Sequence, residues 1–160
     1  MARGGERAAR RAAEPAAGSL RIVIPSQTRF LGLVREMTER VAHLCAFDTP
    51  TAQRVALAVD EATTNSIKHG YLGAGDHEVE VRFAETAREL VIEVIDEGRA
   101  VDRNEIPRVD LDRYVSERRT GGLGVHLMNR IMDAVAIRRV AGRNVCRMRK
   151  RKPGRHGSES

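Results

Sequence analysis

A chain of 160 residues that is 41% hydrophobic but only 3% aromatic, with no Trp, holds one domain built on an aliphatic core of Val, Leu, Ile, Ala and Met. No apolar run approaches the roughly 20 residues that span a bilayer, no signal-peptide segment opens the chain, and the isolated Cys45 and Cys146 exclude a disulfide framework or zinc knuckle, so a reducing cytoplasm is expected. The formal charge of +6 belongs to the ends: four Arg oppose two Glu in residues 1–19, six Lys/Arg oppose one Glu in residues 147–160, and 18 basic residues balance 19 acidic ones between them.

Residues 1–19 are rich in Ala, Arg and Gly and are expected to form a disordered tail. The domain is expected over residues 20–150, with residues 151–160 as a basic disordered tail. Such a basic end is either solvated or a contact for nucleic acid or an acidic partner. "LRIVIP" predicts a strand over 20–25, closed by proline. Ser26 is placed to cap a helix over 27–47, whose apolar Phe30, Leu33, Val34, Met37, Val41 and Leu44 recur at helical spacing. Thr49 or Thr51 is placed to cap a second helix, with Pro50 in its first turn, ending at His69 before Gly70.

Along that second helix Val55, Val59 and Ala62 form the inward stripe. Glu61 and Asn65, four apart, stack on one edge of it, while Asp60 points away. A carboxylate and an amide side by side can take complementary roles. The amide oxygen suits Mg²⁺, and the carboxylate can orient or deprotonate a hydroxyl. Ordinary helix-surface polarity gives the same pattern.

"HEVEVRF" and "ELVIEVID" alternate and predict a hairpin. Alternation puts Leu90, Ile92, Val94 and Asp96 on the core face, so Asp96 is an inward carboxylate that needs a partner. An adenine amino group is one such partner, and Gly98 would let backbone approach the base. An ordinary Asp-Glu-Gly turn is the other reading. Residues 99–120, charged and containing Pro107, are expected to form a long loop with one helical turn. "TGGLGVHLM" then places three glycines before a helix, an arrangement that offers an anion site or a flexible hinge. No strand precedes it and no Walker lysine follows, which excludes the Rossmann and P-loop readings. Two closing strands are expected near 135–141 and 144–150. The order of elements gives an α+β two-layer sandwich, a mixed, mostly antiparallel sheet with helices on one face.

Taken together, "VDEATTNSIKHGY", "VIDEG" and "GGLGVHLMNRIMDAV" resemble the three nucleotide-binding boxes of the GHKL ATPase superfamily, the Bergerat histidine-kinase-like ATP-binding fold. Within it they look most like the anti-sigma-factor serine/threonine protein kinases. The resemblance implies ATP and Mg²⁺ as cofactors. By it, Asn65 binds Mg²⁺ and Glu61 is the general base, Asp96 reads the adenine amino group beside Gly98, and Gly121, Gly122 and Gly124 lie at the phosphates. Lys68 and His69 then supply polar contacts to phosphate or ribose, residues 99–120 form a lid, and Arg118 or Arg119 reaches the phosphates. It also implies a cytoplasmic homodimer that phosphorylates a STAS-type anti-anti-sigma partner and holds a sigma factor, with neither membrane nor direct nucleic-acid binding. Two departures stand out: Ala100 occupies a frequent second-glycine position, and "AGRNVC" lacks the family's late glycine–threonine pair. They motivate an alternative, a nucleotide-binding anti-sigma or switch module with little or no kinase activity.

Overall fold

The structure, a computed structural model, describes residues 19–100 and 123–154. Strand β1 (Leu20–Pro25) leads through a 3₁₀ turn (Thr28–Phe30) into helix α1 (Leu31–Leu44). Helix α2 (Thr49–Asn65) follows and continues as a π turn (Ser66–Gly70). Strands β2 (Glu78–Glu85) and β3 (Glu89–Asp96) form the expected hairpin, and helix α3 (Leu123–Ile131) precedes strands β4 (Ala134–Val140) and β5 (Arg143–Arg151).

The sheet runs β1-β2-β3-β5-β4. All four pairings are antiparallel, so among the described residues the sheet is not mixed. β3 and β5 are neighbours although α3 and β4 lie between them in the chain, which places Asp96 directly opposite Asn144. The last two strands are joined by Ala141 and Gly142 at φ 50° and 79°. Both central residues of this two-residue turn need positive φ, the geometry that matches strand twist, and this accounts for Gly142.

The core-facing residues are the ones that alternation selects. Val79, Val81, Phe83, Leu90, Ile92 and Val94 are buried, and they pack with Val55, Val59 and Ala62 of α2 and Met128 of α3 in one largely aliphatic cluster. Full burial of such a side chain contributes about 1.5–3 kcal/mol, so these few positions fix which sheet face the helices cover. The opposite face carries an ion-pair ladder. Glu80, itself buried, accepts from Arg21 Nε at 2.7 Å and from Arg82 Nε.

Two caps differ from expectation. Ser26 does not cap α1: its hydroxyl donates to the carbonyl of Ala74 (2.6 Å) and accepts from the backbone N–H of His77 (3.1 Å). It therefore ties the end of β1 to the loop before β2, and α1 starts later than expected, after the 3₁₀ turn. α2 is capped by Asp48, whose carboxylate accepts from Thr51 N at 2.9 Å, and not by Thr49 or Thr51. An Asp at this position satisfies an orphan N–H and adds charge favourable to the helix dipole. Pro50 sits in the first turn as expected.

Candidate functional site

Glu61 and Asn65 lie one turn apart near the C-terminal end of α2, each half-buried. Asp60 points the other way and pairs with Arg35 of α1. Helix α3 meets α2 at Glu61 and Asn65. A Cβ on Gly124 would stand 2.7 Å from Glu61 Oε2 and 3.5 Å from Asn65 Nδ2. Gly124 is therefore inside the first turn of α3, not ahead of the helix, and its lack of a side chain keeps room for the carboxylate. Neither Glu61 nor Asn65 is engaged in a side-chain hydrogen bond among the described residues.

The π turn carries the chain from Asn65 to Asp96. Widening the helix to i→i+5 bonding, with Tyr71 N donating to the carbonyl of Ser66 at 3.0 Å, ends it on Gly70. π segments of this kind recur at functional sites. A Cβ on Gly70 would stand 2.9 Å from Asp96 Oδ1, and one on Gly98 would stand 2.4 Å from the carbonyl carbon of Gly70. The close approach that Gly98 permits is thus to the backbone of Gly70, a residue that reads in sequence only as a helix stop. Arg99 N donates to Gly70 O at 2.9 Å, and Arg99 Nε donates to His69 O at the same distance.

Asp96 is buried at 5% exposure, at the inner end of β3. Its Oδ1 accepts from Gly98 N at 2.9 Å and from Asn144 Nδ2 at 2.8 Å. Among the described residues its Oδ2 accepts nothing from the protein. An ionised carboxylate is acceptor-only, so the vacant oxygen selects a donor such as an exocyclic amine. Below it, burial and the Asp96 charge push the Cys146 thiol up to about 12, which keeps that thiol neutral and unreactive. Tyr71 closes this end of the site. Its hydroxyl donates to Glu78 O (2.7 Å) and accepts from Glu97 N (2.8 Å), and its ring stacks on His77. Burial pushes its phenol up.

Glu61, Asn65, Asp96, Gly98 and Gly124 thus converge from three chain segments. Lys68 and His69 are exposed on the π turn, and the carbonyl of His69 accepts from Arg99. Arg118, Arg119, Gly121 and Gly122, with most of residues 99–120, expected as a lid, lie outside the described residues. Sequence reasoning passed over Gly70, Tyr71, Arg139 and Asn144. One signal was present: Asn144 shares strand parity with Cys146 and Met148, so it is a polar residue facing the core.

No group of three or more His, Cys, Asp or Glu side chains that could hold a metal exists among the described residues. The available donor is the carboxamide oxygen of Asn65. That fits Mg²⁺, which takes few protein oxygens and completes its shell with water and substrate phosphates. No helix of the described residues is long and apolar enough to cross a membrane.

Comparison with known proteins agrees with this geometry. The histidine kinase-like ATPase domain family matches residues 24–150. The serine-protein kinase RsbW of Bacillus subtilis is 31% identical over 124 residues, covering 74% of this chain and 77% of that protein. Its counterpart in Listeria monocytogenes is 30% identical over 118 residues, covering 71% and 75%. Among solved structures, the RsbU and RsbW domains of a Mycobacterium tuberculosis protein align with a TM-score of 0.61 at 16% identity, a likeness of fold. The alignment covers 87% of this chain and 34% of that one, so this chain spans about a third of that larger structure.

Proposed function

The chain belongs to the histidine kinase-like ATPase domain family, and from that premise we propose that it is an ATP-dependent serine/threonine kinase that also serves as an anti-sigma factor. Its substrate is a STAS-type anti-anti-sigma protein. The observation that carries the reading is the convergence of Gly124 on Glu61 and Asn65 at one end, joined through the π turn to the Asp96–Gly98 corner at the other.

Asp96 accepts the adenine amino group on Oδ2. Asn65 would hold Mg²⁺ through its carboxamide oxygen, and the ion would supply neutralisation of charge on the transferring phosphoryl group. Glu61 orients the partner's serine or threonine hydroxyl and takes its proton. The hydroxyl oxygen forms a bond to the γ-phosphorus as the bond to the β-phosphate oxygen breaks, ADP departs, and Glu61 returns the proton to solvent. Phosphorylation releases the partner and leaves the sigma factor held. The functional unit is a cytoplasmic homodimer that makes no direct contact with nucleic acid. The alternative, a binding module without turnover, rests on Ala100 and the missing glycine–threonine pair. Asn144 weakens the second ground, because it supplies a polar contact to Asp96 from that part of the chain.

Calorimetry with Mg-ATP tests the reading, wild type against Asn65→Ala, followed by phosphate transfer to a STAS partner. Mg-dependent binding lost in the variant, with transfer by the wild type, is expected. Binding without transfer to any STAS partner supports the module instead, and no binding by the wild type sinks the nucleotide site altogether.

A further inference from the structure

Asp96 alone does not define a recognition surface, because a carboxylate free to rotate can present either oxygen and either edge. In this chain its rotation is fixed from a distant hairpin. Asn144 Nδ2 donates to Asp96 Oδ1 and to the carbonyl of Arg99, both at 2.8 Å. Its own Oδ1 accepts from Arg139 Nη1 at 2.9 Å, and the same nitrogen donates to Gly98 O at 3.0 Å. Both amide hydrogens and the amide oxygen are therefore engaged. Turning the amide over would aim its oxygen at two acceptors and its NH₂ at a guanidinium, losing three hydrogen bonds at once. Arg139 thus decides which way Asn144 faces, and Asn144, together with Gly98 N, occupies one oxygen of Asp96 and holds the plane of the carboxylate.

We propose that Asn144, oriented by Arg139, is a positioning residue that makes the base pocket read a 6-amino purine and reject a 6-oxo purine. The inference rests on Asp96 being the group that meets the base. With Oδ1 taken by Gly98 N and Asn144, Oδ2 has no protein donor among the described residues and is the oxygen left for the base. It attracts an exocyclic amine and opposes a carbonyl oxygen, which leaves two acceptors facing each other without a proton between them. Discrimination built on such an unpaired polar contact is much larger than that from shape alone. Asn144 has no free donor with which to rescue the 6-oxo base. Neither residue touches the Glu61 end, so their effect falls on base choice and not on phosphate transfer.

The test measures the ratio of dissociation constants for ATP and inosine triphosphate, both with Mg²⁺, in wild type, Asp96→Asn, Asn144→Leu and Arg139→Gln. Thermal melts report folding alongside. The preference for ATP should collapse in Asp96→Asn, fall about tenfold in Asn144→Leu, the scale of one hydrogen bond to a charged group, and fall a few-fold in Arg139→Gln. A merely structural role would weaken both nucleotides alike and leave the ratio unmoved. A collapsed ratio in Asp96→Asn with an unchanged one in Asn144→Leu overturns the positioning role while the Asp96 assignment stands. An unchanged ratio in Asp96→Asn removes the Asp96 assignment itself. If Asn144→Leu does not fold, Arg139→Gln decides: it changes a residue exposed at the end of β4, and an unmoved ratio there counts against the proposal.

Discussion

The two ends of the candidate site are built on opposite principles. At the Asp96 end, backbone is packed on backbone: Gly98 on Gly70, Gly70 on the carboxylate, and hydrogen bonds from Gly98, Asn144 and Arg99, with one from Glu97 N to the Tyr71 hydroxyl, close around them. At the Glu61 end, two side chains with no hydrogen bond among the described residues face a glycine in a neighbouring helix. On the proposed function, the first end would meet a rigid, flat base with a prearranged acceptor, and the second would meet a metal, a phosphate chain and an incoming hydroxyl.

The comparison can be sharpened by substitution. The largest effect is expected from Glu61→Ala, which should preserve ATP affinity and lower phosphate transfer by about 10²–10⁴-fold, the range for a removed general base. Unchanged turnover in a transfer assay would remove Glu61 from that role. Next comes Gly98→Ala. Its methyl would meet Gly70 backbone at 2.4 Å, which no side-chain rotation can relieve. Overpacking of this kind costs about 1–3 kcal/mol, so both the melting temperature and ATP affinity should drop. An unaltered affinity would break the claim that this end is locked.

Gly124→Ala is the mirror experiment. The contact at 2.7 Å is with the tip of Glu61, which can swing aside. Stability should therefore change little while turnover falls about tenfold, a modest share of the effect of losing the base altogether. A large stability loss with unchanged turnover would show that the two ends are not different in kind.

The smallest expected effect lies away from both ends, on the outer sheet face. Burial raises the Glu80 carboxyl, but the hydrogen bonds from Arg82 and Arg21 and their charges outweigh it and hold the group below its ordinary 4.5. A carboxylate depressed in the folded state binds its proton more readily when unfolded, so its stabilisation is complete above about pH 4.5 and is lost as pH falls through the folded value. The melting-temperature advantage of wild type over Glu80→Gln should shrink as pH is lowered below that point. A gap that stays constant or widens on acidification would contradict it. ATP preference at neutral pH should be the same in both proteins.

Legibility in the sequence followed the range of the interactions. The Glu61–Asn65 edge and the inward Asp96 were readable because helical and strand periodicity are local. Ser26 misled because a hydroxyl before a helical pattern signals a cap by itself, whereas its actual partners, Ala74 and His77, are about fifty residues away. Gly98 was read as a point of close approach to a base, and its packing on Gly70 was not foreseen, because nothing in the sequence says that the turn after Asn65 arrives beneath it. Asn144 appeared only as the absence of a threonine. Its role depends on β5 pairing with β3 across the intervening α3 and β4.

The sequence by itself determined the elements, the covered face of the sheet and the resemblance that points to ATP, since apolar period and short motifs are properties of adjacent residues. The tertiary structure alone decided which groups meet. The π turn brings Gly70 under Gly98, α3 sets Gly124 against Glu61, and β5 delivers Asn144 to Asp96. Each of these contacts joins residues whose separation along the chain carries no local signal, so packing and strand pairing had to bring them together.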